Sequence, residues 1–142
     1  MEPDPPILVV DDDPVIRALV TARLRGRGYA VAACANGLDA LAHASATPVE
    51  VAVTDLEMPG LGGLELIARL RREQPLARII VLSGTASLAT GMACLREGAF
   101  TLVTKPLGDG SGLDRAVEQA RWVVADWREQ LRRLVGRGDG SR

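Results

Sequence analysis

The chain has 142 residues, 47% of them hydrophobic and 25% charged, which excludes a disordered polymer and allows one domain that buries roughly 70% of its unfolded surface. A formal charge of -1 removes the basic excess that nonspecific nucleic-acid binding requires, and no apolar run approaches the ~18 residues of a membrane span. Cys34 and Cys94 stand far apart with no CxxC spacing, so they read as reduced, packed thiols rather than a disulfide or a zinc site.

The opening MEPDPP is acidic and proline-rich, unlike the basic start of a signal peptide; residues 1–6 are expected to be disordered and the protein cytoplasmic. ILVVD (7–11) is the first expected strand and ends in three consecutive aspartates, Asp11, Asp12 and Asp13. Adjacent carboxylates repel, so either solvent in a surface turn or a cation in a functional one must offset them. Pro14 suits the first turn of the helix PVIRALVTARLRGRG, where its missing N–H has no partner, and Asp13 reads as a solvated turn or cap residue. YAVAAC (29–34), VEVAVTD (49–55), RIIVLS (78–83) and FTLVTK (100–105) are the remaining strands. They alternate with the helical segments GLDALAHASA, GLELIARLRREQ and SLATGMACLREG. Gly26, Gly28 and Gly98 lie where left-handed helix caps are wanted. Nearly continuous Val, Ile and Leu suits parallel strands covered on both faces, and the regular alternation predicts an α/β doubly wound parallel sheet. His43 is expected on the surface, and Met92 and Cys94 in packing.

A last helix is expected over 112–135. Its apolar positions Leu113, Val117, Ala120, Val124, Trp127, Leu131 and Leu134 step alternately by four and three, a heptad seam. One reading folds the whole helix against its own domain. The other lets 126–135 project beyond the sheet, so that Val124, Trp127, Leu131 and Leu134 form an interface for dimerisation or lead to an output domain. Residues 136–142 are expected to be disordered.

In such a sheet, ligands gather outside the carboxyl ends of the strands. The first strand delivers Asp11, Asp12 and Asp13 there, the third Asp55, the fourth Ser83 and the fifth Lys105. Asp11 or Asp12 with Asp55 makes an all-oxygen cluster suited to Mg²⁺. Asp55 can also act as a nucleophile toward phosphorus, with Lys105 as a second positive centre and Ser83 as a donor to a phosphoryl oxygen.

ILVVDDDP, TDLEMPGLGGLEL, a Ser with a small neighbour after the fourth strand, and GAFTLVTKPL together resemble the receiver domains of two-component response regulators, over residues 7 to about 125. The resemblance implies a flavodoxin-like (βα)5 fold with strand order 2-1-3-4-5, to which the spacing of the last helix adds a C-terminal extension. The resemblance further implies that Asp55 accepts a phosphoryl group from a histidine kinase, that Asp12 binds Mg²⁺ directly and Asp11 through water, and that the Glu57 backbone carbonyl is a further ligand. Ser83 and Lys105 then contact the phosphate, and Pro106 follows a cis peptide bond. The chain departs from the family pattern at Leu102, where an aromatic switch residue is usual, and at Gly62, where an acidic residue is usual. Phe100, two positions earlier, is expected on the same face as Leu102. Glu57 is expected to point toward the mouth of the site.

The function expected is therefore a phosphorylation-controlled signalling module, not a turnover enzyme, with a histidine kinase and a downstream protein as partners, no direct nucleic-acid or membrane contact, and a homodimer through the last helix. Two alternatives remain open. A phosphate-independent scaffold would use the fold only for dimerisation. A Mg²⁺-dependent phosphohydrolase would need a second carboxylate in a DxD arrangement, whereas the chain has Asp55-Leu56-Glu57.

Overall fold

Burial of both faces decides which strands occupy the middle of the sheet. The computed structural model describes residues 3–85 and 87–140. In chain order its elements are β1 (Ile7–Val10), α1 (Pro14–Gly26), β2 (Val31–Cys34), α2 (Gly37–Ala46), β3 (Val51–Asp55), α3 (Gly63–Glu73), β4 (Arg78–Ser83), α4 (Leu88–Glu97), β5 (Thr101–Thr104) and α5 (Ser111–Gly140). The strands form one parallel sheet in the order β2-β1-β3-β4-β5. β1 and β3 are buried throughout and β4 is buried after Arg78, whereas β2 and β5 at the edges are half-buried. Continuous apolar sequence thus marks the central strands, as expected for a sheet covered on both sides.

Alternation along the strands feeds two apolar layers. Leu8, Val10, Ala52, Ile79 and Val81 pack with Ala40, Leu66, Ile67, Leu70 and Cys94 of α2, α3 and α4. Ile7, Val9, Val51, Val53, Ile80 and Leu82 pack with Val20 and Leu24 of α1 and Leu113, Val117 and Ala120 of α5. Cys34 and Cys94 are free, and burial pushes both thiols up from their ordinary value, which suits packing groups. No helix among the described residues is long and apolar enough to cross a membrane.

Asp13 caps α1, its carboxylate accepting from Val15 N at 2.9 Å and Ile16 N at 3.5 Å. Gly98 ends α4 in the left-handed region with φ 106°, as expected. Gly26 does not play that part: α1 runs through it, and Gly28 two residues later takes the positive φ. His43 is half-buried rather than on the surface, its Nε2 shielded from solvent on α2. Met92 is 42% exposed on α4 and is not a core residue.

α5 has two regimes. Leu113, Ala116, Val117, Ala120 and Val124 are buried, while Trp127 is 45% exposed and Leu131, Leu134 and Val135 are also exposed. Val124 therefore belongs to the chain's own interior, and the expected interface set loses it. The helix also continues to Gly140, past the expected end at 135, since an existing helix gains a hydrogen bond with each added residue. Residues 141–142 and 1–2, both assigned to disordered ends, lie outside the described residues. Residues 3–6 have no regular structure, yet Asp4 and Pro5 are tied to α5. Arg121 donates to the Pro5 carbonyl at 3.1 Å and pairs with Glu50 at 3.3 Å. Arg128 also pairs with Glu50, and Arg121 lies over the Tyr29 ring. Glu50, 8% exposed just before β3, thus anchors the helix where it leaves the sheet.

Candidate functional site

Register sets the heights of the residues at the carboxyl rim. Val10 of β1 is level with Thr54 of β3, so Asp11, which follows β1, stands level with Asp55. Asp55 is level with Leu82, which places Ser83 one step higher, and Ser83 is level with Thr104, the residue before Lys105. The sequence separations are large, but the sheet makes these residues neighbours.

Carboxylate oxygens of Asp11, Asp12 and Asp55 lie within 4.8 Å of one another. Lys105 Nζ is 3.2 Å from Asp11 Oδ2 and 3.4 Å from Asp55 Oδ1. Asp11 is 2% exposed, Asp55 is also buried, and Asp12 is open to solvent. Several bonds hold the frame. Asp11 Oδ1 accepts from Asp13 N at 2.9 Å, and Arg17 Nη1 donates to the Asp11 carbonyl at 2.9 Å. The Thr54 hydroxyl donates to the Asp55 carbonyl at 2.9 Å. Gly63 N donates to the Leu56 carbonyl, and a Cβ at Gly63 would lie 2.7 Å from Leu56 Cα, so only glycine lets α3 start this close to the end of β3. Gly62, the α3 N-cap, offers no side-chain bond, which is the local consequence of the missing acidic residue. The Lys105–Pro106 peptide is cis.

Burial pushes the Asp55 carboxyl above its ordinary value, and the Asp11 charge adds to this; the Lys105 charge and hydrogen bond and the Glu57 N–H work the other way. For Lys105, burial disfavours the ammonium, but the bond to Asp11 and the charges of Asp11 and Asp55 prevail and raise its pKa. One ammonium among three carboxylates leaves the cluster negative. The donors are hard oxygens on two strand ends, with Asp12 open to water, and this set fits a divalent hard cation such as Mg²⁺.

Asp11, Asp12, Asp55 and Lys105 thus come together at one rim. Ser83 is buried at the adjoining strand end, its hydroxyl oxygen accepting from Thr85 N at 3.3 Å. Leu102 pairs in register with Val81 and packs, half-buried, in the layer of α2, α3 and α4, the face that Ser83 shares by alternation with Val81. Phe100 does not share that face. It packs in the opposite layer with α1 and α5, because β5 begins only at Thr101 and strand alternation does not extend back to it. Trp127, Leu131 and Leu134 lie far along α5 from the rim and take no part in it. Glu57 is exposed, and its carboxylate accepts a bond from the Thr85 hydroxyl. Sequence reasoning missed Thr85 and Arg17, since nothing in VLSGTAS or in a helical arginine distinguishes these from surface residues.

Comparison with known proteins adds an independent result. Residues 7–118 match the family model described as the response regulator receiver domain. The transcriptional regulatory protein GlrR of Escherichia coli K12 is 30% identical over 129 residues, which cover 88% of this chain and 29% of that protein. The chain therefore spans less than a third of the length of that curated relative. Among solved structures, a response regulator protein from Burkholderia pseudomallei with a phosphorylated aspartic acid, calcium ion and citrate is 34% identical with a TM-score of 0.72, covering 96% of this chain and 86% of that one. The response regulator TrrA from Thermotoga maritima, in complex with Mg²⁺ and BeF, is 31% identical with a TM-score of 0.73, covering 80% of this chain and 96% of that one.

Proposed function

The chain belongs to the response regulator receiver-domain family, and from that premise we propose that Asp55 accepts a phosphoryl group from a histidine kinase in the cytoplasm. The observation that carries this reading is the meeting of Asp11, Asp12, Asp55 and Lys105 at one rim. Mg²⁺ would be held by Asp11, Asp12, Asp55 and the Glu57 carbonyl, and when bound it supplies positive charge that shields the acceptor from an incoming anion.

The remaining work falls to the chain's own groups. An Asp55 oxygen attacks phosphorus; the bond from phosphorus to the donor imidazole nitrogen breaks, and the ring keeps the electron pair and takes a proton from solvent. Lys105, already beside Asp55, stabilises charge on the transferring group. Ser83 donates to a phosphoryl oxygen and so registers its arrival. Leu102 lies on the same face of the sheet as Ser83. Repacking of Leu102 would pass the change to the exposed surface of α4 and β5, where Leu88 and Leu95 are open to a downstream protein. Water later attacks the acyl phosphate and resets the site, so the chemistry is a signalling cycle and not substrate turnover.

Acetyl phosphate with Mg²⁺ tests this: the wild type gains one phosphoryl group by intact mass and Asp55→Asn gains none. An unmodified wild type, or a modified Asp55→Asn, overturns the assignment.

The exposed stripe of Trp127, Leu131 and Leu134 favours a second element of the reading, homodimerisation through the end of α5. Sedimentation velocity would show a concentration-dependent dimer that Leu131→Glu removes, and a monomer at all concentrations refutes it.

A further inference from the structure

Two exposed residues are joined across the mouth of the site. Glu57 stands two positions after Asp55 on the β3–α3 loop, Thr85 stands two positions after Ser83 on the β4–α4 loop, and the Thr85 hydroxyl donates to the Glu57 carboxylate. Thr85 also holds Ser83, whose hydroxyl oxygen accepts from Thr85 N at 3.3 Å. One residue therefore ties the Ser83 side chain to its own loop and ties that loop to the segment that follows the acceptor.

The strands beneath leave little freedom. Asp55 is paired in register with Leu82, and Leu56 N donates to the Leu82 carbonyl at 3.3 Å. Ser83 ends β4 and its hydroxyl oxygen is held by Thr85 N, so an approach of that hydroxyl to an anion on Asp55 disturbs Thr85 and with it the bond to Glu57. We infer that the Thr85–Glu57 hydrogen bond is a latch that holds Thr85, and through it the Ser83 hydroxyl, in a resting arrangement and is opened by negative charge arriving on Asp55. The inference rests on the phosphoacceptor reading above. The arriving group acts from both sides: its oxygens attract the Ser83 hydroxyl that Thr85 N holds, and its charge repels the Glu57 carboxylate two residues after Asp55. Thr85 and Glu57 are positioning residues, since neither need touch the phosphoryl group for the latch to work.

The test is the affinity of the full chain for beryllofluoride with Mg²⁺, by titration calorimetry, in the wild type, Thr85→Val, Thr85→Ser, Glu57→Gln and the Thr85→Val/Glu57→Gln double variant. A surface hydrogen bond to a carboxylate that must break on binding weakens affinity by about fivefold. Thr85→Val should therefore bind about fivefold more tightly than the wild type, and Thr85→Ser, which keeps the hydroxyl, should match the wild type. Glu57→Gln should bind more tightly still because it also loses charge, and adding Thr85→Val to it should gain less than the valine gains alone. A wild-type affinity in Thr85→Val, or equal gains from that change in both backgrounds, overturns the latch and leaves Glu57 acting by charge alone. Absence of beryllofluoride binding in the wild type overturns the phosphoacceptor reading, and the latch with it.

Discussion

Replacing Lys105 with methionine keeps a flexible apolar stem and removes the ammonium with its charge and its hydrogen bond to Asp11, so it isolates what the ammonium does for the acidic rim. Lys105 Nζ lies 3.2 Å from Asp11 and 3.4 Å from Asp55, with its side chain 19% exposed. At an effective dielectric of about 20, each contact corresponds to about 5 kcal/mol of gross attraction, and in bulk water to little more than about 1 kcal/mol. Removing the ammonium also recovers its own desolvation penalty, so a net loss of about 2 kcal/mol is expected. With a urea m-value of about 2 kcal/mol/M, the unfolding midpoint should fall by about 1 M at pH 7 without divalent cation. Mg²⁺ should then restore more stability to Lys105→Met than it adds to the wild type, because it binds a cluster that no ammonium already occupies. Urea titrations with and without MgCl2 read both effects. A midpoint within about 0.2 M of the wild type, or equal Mg²⁺ stabilisation of the two proteins, would refute the view that Lys105 stands in for cationic charge at this rim.

Asp55→Asn tests the sign of the charge strain. The folded-state pKa of Asp55 is raised by burial and by Asp11, so between its ordinary value and the raised one the folded chain holds a proton that the unfolded chain has lost. Wild-type stability therefore falls as pH rises through that window, and the advantage of Asp55→Asn should grow from pH 4 to pH 7 in urea melts; parallel pH profiles would contradict this. Glu50→Ala removes the buried carboxylate that Arg121 and Arg128 share, while Arg121 keeps Pro5 and Tyr29, both arginines keep the exposed Asp4, and Arg128 is partly solvated. A loss of about 2 kcal/mol is expected, below the full range for a buried pair, and chemical denaturation that finds no change would show the clamp to be inert.

The rim was legible because parallel strands end on one side, so residues after ILVV, VAVT, IIVL and LVT had to converge whatever the intervening loops did. Asp13 was legible for a local reason, its place before Pro14 at a helix start. Longer-range pairings were not. Glu50 meets Arg121 across 71 residues of sequence and Glu57 meets Thr85 across 28, and no periodicity encodes which surface charges will find each other. The face of Phe100 was misread because alternation was extended through a residue that lies before β5, just after the left-handed turn at Gly98. The division of α5 between covered and open halves could be anticipated from helix length, but its end at Gly140 could not, since Gly136 and Gly138 argue locally for a stop.

The anchoring of α5 at Glu50 gives the helix the mechanics of a pointer. Glu50 lies just before β3 and Asp55 ends it, so the pivot and the acidic rim are at opposite ends of one short, fully buried strand. Among the described residues the helix beyond Arg128 has no partner in the sheet layers, and the twelve residues from there to Gly140 reach about 18 Å. A tilt of only about 5° at that pivot would carry the tip about 1.6 Å, an angular error too small to see at the sheet but large at the far end. The bearing of everything that follows residue 128 is thus set by two arginines and a carboxylate at the foot of the strand that bears Asp55.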